Sequence, residues 1–139
     1  MKITIPKIKP CPVVIVADST FFSRNEGICI FQVPRLKKAI ARSFIKSETA
    51  FEYRHLKEQV ERSGFTILAI VIDGRKGIRE VFKNIPVQMC QYHQLKIIRR
   101  YLTMNPRLEA GKKLKNICKN LCSISKKDFI SQFTNWDIK

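Results

Sequence analysis

Two aspartates in this chain close apolar runs of strand length. Val13 to Ala17 is followed by Asp18, and Phe65 to Ile72 is followed by Asp73. Carboxylates that end adjacent strands can share hard divalent cations, which take oxygen ligands and clamp the attacking and leaving oxygens of a phosphodiester. The plainer reading makes Asp18-Ser19 and Asp73-Gly74 strand-end turns, in which Asp caps local backbone and Gly supplies positive φ. Charge bears on the choice. The chain holds 27 Lys and Arg against 11 Asp and Glu, a formal +16, and a body so basic is built to meet a polyanion, nucleic acid first.

A second constellation is Cys90-Gln91-Tyr92-His93. Its C-x2-H spacing could supply half of a zinc site, with Cys118 and Cys122 as the other half. C-x3-C is not a common zinc spacing, however, and Cys118, Leu121 and Cys122 fit the apolar face of a helix, where free cysteine packs as a small hydrophobe. A Cys90/His93 nucleophilic dyad is weak, because Cys90 ends a strand read as buried, where a thiol is inert. Between Leu95 and Lys127 stand ten cations, Lys96, Arg99, Arg100, Arg107, Lys112, Lys113, Lys115, Lys119, Lys126 and Lys127, against the single acid Glu109. A solvated helical face normally mixes signs, so one-sided charge favours phosphate contact, which positions a strand without reading its sequence. Tyr92 and Tyr101 could stack on bases, although at helical spacing they also fit a core boundary.

The elements that must position these residues follow from apolar spacing. Val13 to Ala17 reads as a central strand covered on both faces and ending at Asp18, with a polar turn from Ser19 to Gly27 and a hairpin partner at Ile28 to Val33, closed by Pro34. Ala41 to Ile45 is a third strand, though Leu36 to Ala41 fits a helix equally. From Thr49, Phe51, Leu56 and Val60 mark a helix of about four turns, with Thr49 and Glu52 at capping-box spacing and Gly64 as its stop. Phe65 to Ile72 is the next strand, Ile78 to Ile85 a short helix stopped by Pro86, and Val87 to Cys90 a last short strand. After it every apolar spacing is helical. The layout is α/β, with an N-terminal extension over 1–12, a sheet-bearing core over 13–91 and a basic helical segment over 92–139. No run is long enough to span a bilayer and Met1 to Pro12 lacks an apolar signal core, so the expected setting is cytoplasmic with no membrane partner. Five cysteines at irregular spacing fit reduced thiols rather than a disulfide framework. No G-x-G-x-x-G or P-loop pattern occurs, which removes the usual support for a nucleotide cofactor.

Asp-Ser-Thr-Phe-Phe (18–22), Ile-Asp-Gly-Arg-Lys-Gly (72–77), Ile-Pro-Val-Gln-Met-Cys-Gln-Tyr-His-Gln (85–94) and Arg-Arg-Tyr-Leu-Thr (99–103), in that order, resemble the catalytic region of bacterial insertion-sequence transposases of the Mutator (MULE-like) group. The resemblance covers about residues 13–136. It implies an RNase H-like mixed sheet with flanking helices, Mg2+ (or Mn2+) held by Asp18 and Asp73 as the first two acids of an Asp-Asp-Glu set, and cleavage and strand transfer on DNA at transposon ends by a homo-oligomeric assembly. Cys90 and His93 match the family C-x2-H. The helices carrying Lys96, Arg99, Arg100, Lys112, Lys113 and Lys115 match its helical insertion and are the expected DNA contacts. In the family the third acid follows that insertion, and none of Glu109, Asp128 or Asp137 matches it. The expectation is therefore an incomplete transposase catalytic domain, inactive alone. The alternatives are a stand-alone RNase H-like nuclease completed by Glu48 or Glu52 on the first helix, and a nonenzymatic basic nucleic-acid-binding protein whose aspartates are turn residues.

Overall fold

The computed structural model describes residues 3–4 and 7–137. The first apolar run does form a strand, β2 (Pro12–Ser23), but a longer one than its composition announces. It continues through Asp18 because Ser19 to Ser23 pair antiparallel with β3 (Glu26–Val33), from Val16 opposite Gln32 to Ser23 opposite Glu26. The expected polar turn from Ser19 to Gly27 thus shrinks to Arg24 and Asn25, since Thr20, Phe21 and Phe22 suit a pleated surface better than a turn. Gly27 permits this closeness: a Cβ there would lie 2.7 Å from the Phe21 ring.

After β3 the chain reverses through a single 3-10 turn, Pro34–Leu36, with Lys37 left-handed at φ 51° and its N–H donating to the Pro34 carbonyl. The ambiguous stretch that follows is strand: β4 (Lys38–Ile45) pairs antiparallel with β3, and a two-residue strand β1 (Ile3–Thr4) pairs with β4 at the edge. Thr49 then caps α1 (Ala50–Arg62), its Oγ1 accepting from the Glu52 N–H at 3.4 Å. Gly64 ends it at φ 89°, a conformation a side chain would strain. The buried face of α1 is Tyr53, Leu56 and Val60, not the expected Phe51, Leu56 and Val60. Phe51 is 66% exposed and stacks on His55 instead.

The next strand, β5 (Thr66–Ile72), runs parallel to β2, and a short helix α2 (Ile78–Val81) returns the chain to β6 (Val87–Met89), parallel to β5. The sheet order is β1-β4-β3-β2-β5-β6. Three antiparallel strands followed by two parallel ones, with the first strand of the trio at the centre, is the RNase H-like mixed sheet. Its core lies on one face, where Ile15, Phe31, Ile40 and Ile70 meet Tyr53 and Leu56 of α1 and Phe82 beyond α2, all fully buried. The expectation that β2 is covered on both faces is corrected here. Val13, Ile15 and Ala17 are buried while Val14 is 44% exposed, and on the same side Phe44 and Leu68 are exposed too. An unbroken apolar run shows strand length, but says nothing of whether a layer covers its second face.

The chain divides after Cys90, and the part from Gln91 onward forms a second unit. It holds three helices, α3 (Gln91–Leu102), α4 (Glu109–Lys119) and α5 (Lys126–Asp137). Among its described residues Ile117 and Cys118 are buried, and the Trp136 indole N–H donates to the Ala110 carbonyl at 2.8 Å, tying α5 to α4.

Candidate metal centre

The register of β2 on β5 decides where the two aspartates stand. The last parallel partners are Val16 and Val71, and two residues further along each strand lie Asp18 and Asp73. Neighbouring strands are about 4.8 Å apart, so continuing this register past the last pair puts the two residues at one level of the sheet. Asp18 is not a strand-end residue, as expected from the run it follows: it pairs with Ile30 inside β2, and it is the parallel β2–β5 pairing that ends just before it. Its alternation with buried Val13, Ile15 and Ala17 puts it on the sheet's less covered face, where it is exposed. Asp73 follows β5, is half-buried, and accepts the Arg75 backbone N–H on Oδ1 at 3.1 Å. It therefore shapes its own turn.

Two hard carboxylates on adjoining strands fit a divalent cation that keeps several of its waters, as Mg2+ does. Among the described residues no three His, Cys, Asp or Glu side chains converge as a metal-holding group, so neither Glu48 nor Glu52 completes a triad with Asp18 and Asp73. Glu48 precedes α1 and is engaged elsewhere: its side chain is 8% exposed, Oε1 accepts from Tyr53 OH at 2.7 Å, and Oε2 accepts from Arg75 Nη1 at 2.6 Å. Glu52 stands in the first turn of α1, with Oε2 buried and unbonded. Spacing and composition missed Tyr53 and Arg75. The helical period of Leu56 and Val60, run back one turn, reaches Tyr53, and Arg75 stands inside the second aspartate motif.

Beneath this group lies Cys29, fully buried opposite Ser19 on β2. Burial pushes its thiol up to about 11, against a smaller opposing effect of the neighbouring Ser19 and Tyr53 hydroxyls. Burial likewise raises the Tyr53 hydroxyl far above the ordinary phenol range. Cys90 is half-buried just after β6, and its N–H donates to the Ile72 carbonyl at 2.7 Å, which anchors β6 at the level of the Asp73 turn. The strand before it is not the buried one expected, since Val87 and Met89 are half-buried and Gln88 is exposed. His93 lies in α3, its ring edge-on to Tyr92 at 5.5 Å. Cys118 is buried and its thiol raised by that burial, whereas Cys122, one turn on, is exposed.

The expected DNA contacts divide by what already holds them. Lys96, Arg99 and Arg100 on α3 and Lys113 on α4 are exposed. Lys112 pairs with Glu109 at 2.6 Å, and Lys115 donates to the Met104 carbonyl. Among the described residues no helix is long and apolar enough to cross a membrane.

Solved structures that resemble this chain include retroviral integrase catalytic cores. The HTLV-2 integrase catalytic core domain in complex with magnesium aligns in its dimeric form over 81% of this chain and 88% of that one, at 15% identity and a TM-score of 0.45. Its trimeric form aligns over 83% and 90%, at 15% identity and 0.46. A simian T-cell lymphotropic virus intasome in complex with the PP2A regulatory subunit B56 gamma aligns over 89% and 55%, at 12% identity and 0.44. No protein-family model matches the sequence, and no curated protein matches it either.

Proposed function

We propose that this chain is a catalytic-core domain of a DDE-type polynucleotidyl transferase of the transposase kind, acting on DNA at transposon ends, with Mg2+ or Mn2+ held by Asp18 and Asp73. The observation that carries the reading is the β2–β5 register, which brings the two acids to one level of an RNase H-like sheet within a chain of charge +16. Magnesium in the HTLV-2 integrase cores belongs to those proteins; here the support is the acid pair and its strands.

When bound, such a cation supplies charge neutralisation at the phosphate and activation of the attacking oxygen. The chain's own residues do the rest. Asp18 and Asp73 furnish the ligand oxygens, and the exposed cations of α3 and α4 hold the backbone phosphates, which sets the position of a duplex without choosing its sequence. In this reading the isolated chain binds metal and DNA but cleaves a labelled duplex poorly, since among the described residues no third acid joins the pair.

Calorimetric titration with Mn2+ tests the site directly. Binding is expected in the wild type and lost in Asp18→Asn and in Asp73→Asn, with both variants unfolding at the wild-type temperature. A titration unchanged by either substitution would return the aspartates to the role of turn residues in a nonenzymatic basic protein.

A further inference from the structure

Four hydrogen bonds run in sequence from β2 to the turn that carries Asp73. Ser19, next to Asp18, places its Oγ 3.3 Å from Tyr53 OH. Tyr53 OH donates to Glu48 Oε1 at 2.7 Å, Arg75 Nη1 donates to Glu48 Oε2 at 2.6 Å, and the Arg75 backbone N–H donates to Asp73 Oδ1 at 3.1 Å. A phenol has one proton to give, and Tyr53 gives it to Glu48, so Ser19 is the donor in the first bond. The two bonds to Glu48 are charge-assisted, the shorter and stronger kind, and they satisfy both oxygens of a carboxylate that is nearly buried.

The relay is anchored in the core at one end and open to solvent at the other. Tyr53 is fully buried, whereas Arg75 is 53% exposed and belongs to the loop between β5 and α2. Without Glu48 the Arg75 side chain would lose its tie to the core. We propose that Tyr53, Glu48 and Arg75 are positioning residues of the metal site. They tie the Asp73 turn to the strand of Asp18, so that the second carboxylate is held at the level of the first before metal arrives. The proposal rests on the reading of Asp18 and Asp73 as metal ligands, and it makes Glu48 a support of the site rather than a third ligand.

The sign of one effect separates this role from simple charge. Arg75 is a cation two residues from Asp73, so if it acted only through its charge, removing it would strengthen metal binding. As a positioning residue its loss weakens binding. Mn2+ titration of Arg75→Ala is expected to show affinity reduced by roughly tenfold, the lower end of the range for residues that orient ligands. Arg75→Lys, which keeps charge and one donor, recovers part of that loss. Glu48→Gln and Tyr53→Phe weaken binding by a comparable factor without abolishing it. Hydrogen exchange at the Arg75 amide, followed without metal, speeds up in Glu48→Gln while the amides of β5 stay protected. Tighter Mn2+ binding in Arg75→Ala, or affinity and Arg75 exchange both unmoved in Glu48→Gln, overturns the proposal. Total loss of binding in Glu48→Gln overturns it in favour of direct ligation. If the wild type binds no Mn2+, the metal reading itself fails and the positioning role falls with it, an outcome told from the others by the Asp18→Asn comparison.

Discussion

The Cys29 thiol is buried between Ser19 and Tyr53, with Glu48 and Glu52 near enough to oppose its ionisation as well. In the folded chain burial pushes it up to about 11, from 9.0 for an ordinary thiol. The folded state thus holds this proton more tightly than the unfolded chain does. Its contribution to stability is fully present below pH 9 and is lost as pH rises towards 11. Tyr53, whose hydroxyl is raised in the same direction, adds to the loss once pH passes the ordinary phenol value of 10.0. Urea unfolding at pH 8 and pH 10 is expected to show this fall, reduced in Cys29→Ser; equal stability at the two pH values would contradict it. The same burial makes Cys29 and Cys118 unreactive towards a thiol reagent at pH 8, with exposed Cys122 labelled first.

The packing of α1 illustrates what local pattern can and cannot specify. The capping residues Thr49 and Glu52, the stop at Gly64 and the strand before Asp73 were all readable, because each rests on residue types at short fixed spacing. The buried face of α1 was not, since Phe51 and Tyr53 are both aromatic and only contact with the sheet chooses between them. Tyr53 wins because its hydroxyl reaches Glu48 and Ser19 while its ring meets Phe31 at 5.9 Å, a combination Phe cannot offer. For the same reason the aspartates could be picked out singly, but their common level depends on the β2–β5 register, and the Glu48–Arg75 pair spans 27 residues of sequence. These assignments differ measurably in stability. Leu56→Ala is expected to cost about 2–5 kcal/mol, the usual range for a buried leucine, whereas Phe51→Ala, at 66% exposure, changes unfolding by less than about 0.5 kcal/mol. A large drop in thermal stability on Phe51→Ala would restore the face expected from spacing. Thr49→Ala, which removes the cap, should cost about 1 kcal/mol.

Across the whole chain the charge is unevenly shared, and the proposed phosphate contacts follow that distribution. Ten cations against one acid lie between Leu95 and Lys127, on helices whose basic side chains are mostly exposed. Each phosphate they neutralise releases condensed counterions, so affinity for duplex DNA must fall linearly on a log–log plot against salt. Lys112 is paired with Glu109, but an exposed pair of this kind is worth under about 1 kcal/mol and yields to a phosphate. Arg99, Arg100 and Lys113 are exposed, and under the proposed function they exchange water for phosphate oxygens. Replacing these three by Gln is expected to reduce the salt slope by up to about 2.7, or roughly 0.9 for each phosphate no longer neutralised, and to weaken two unrelated duplexes of equal length alike. Fluorescence anisotropy over a salt series measures both quantities. A flat salt dependence in the wild type would remove phosphate binding as the role of these helices, and weakening confined to one duplex would show that they read bases instead.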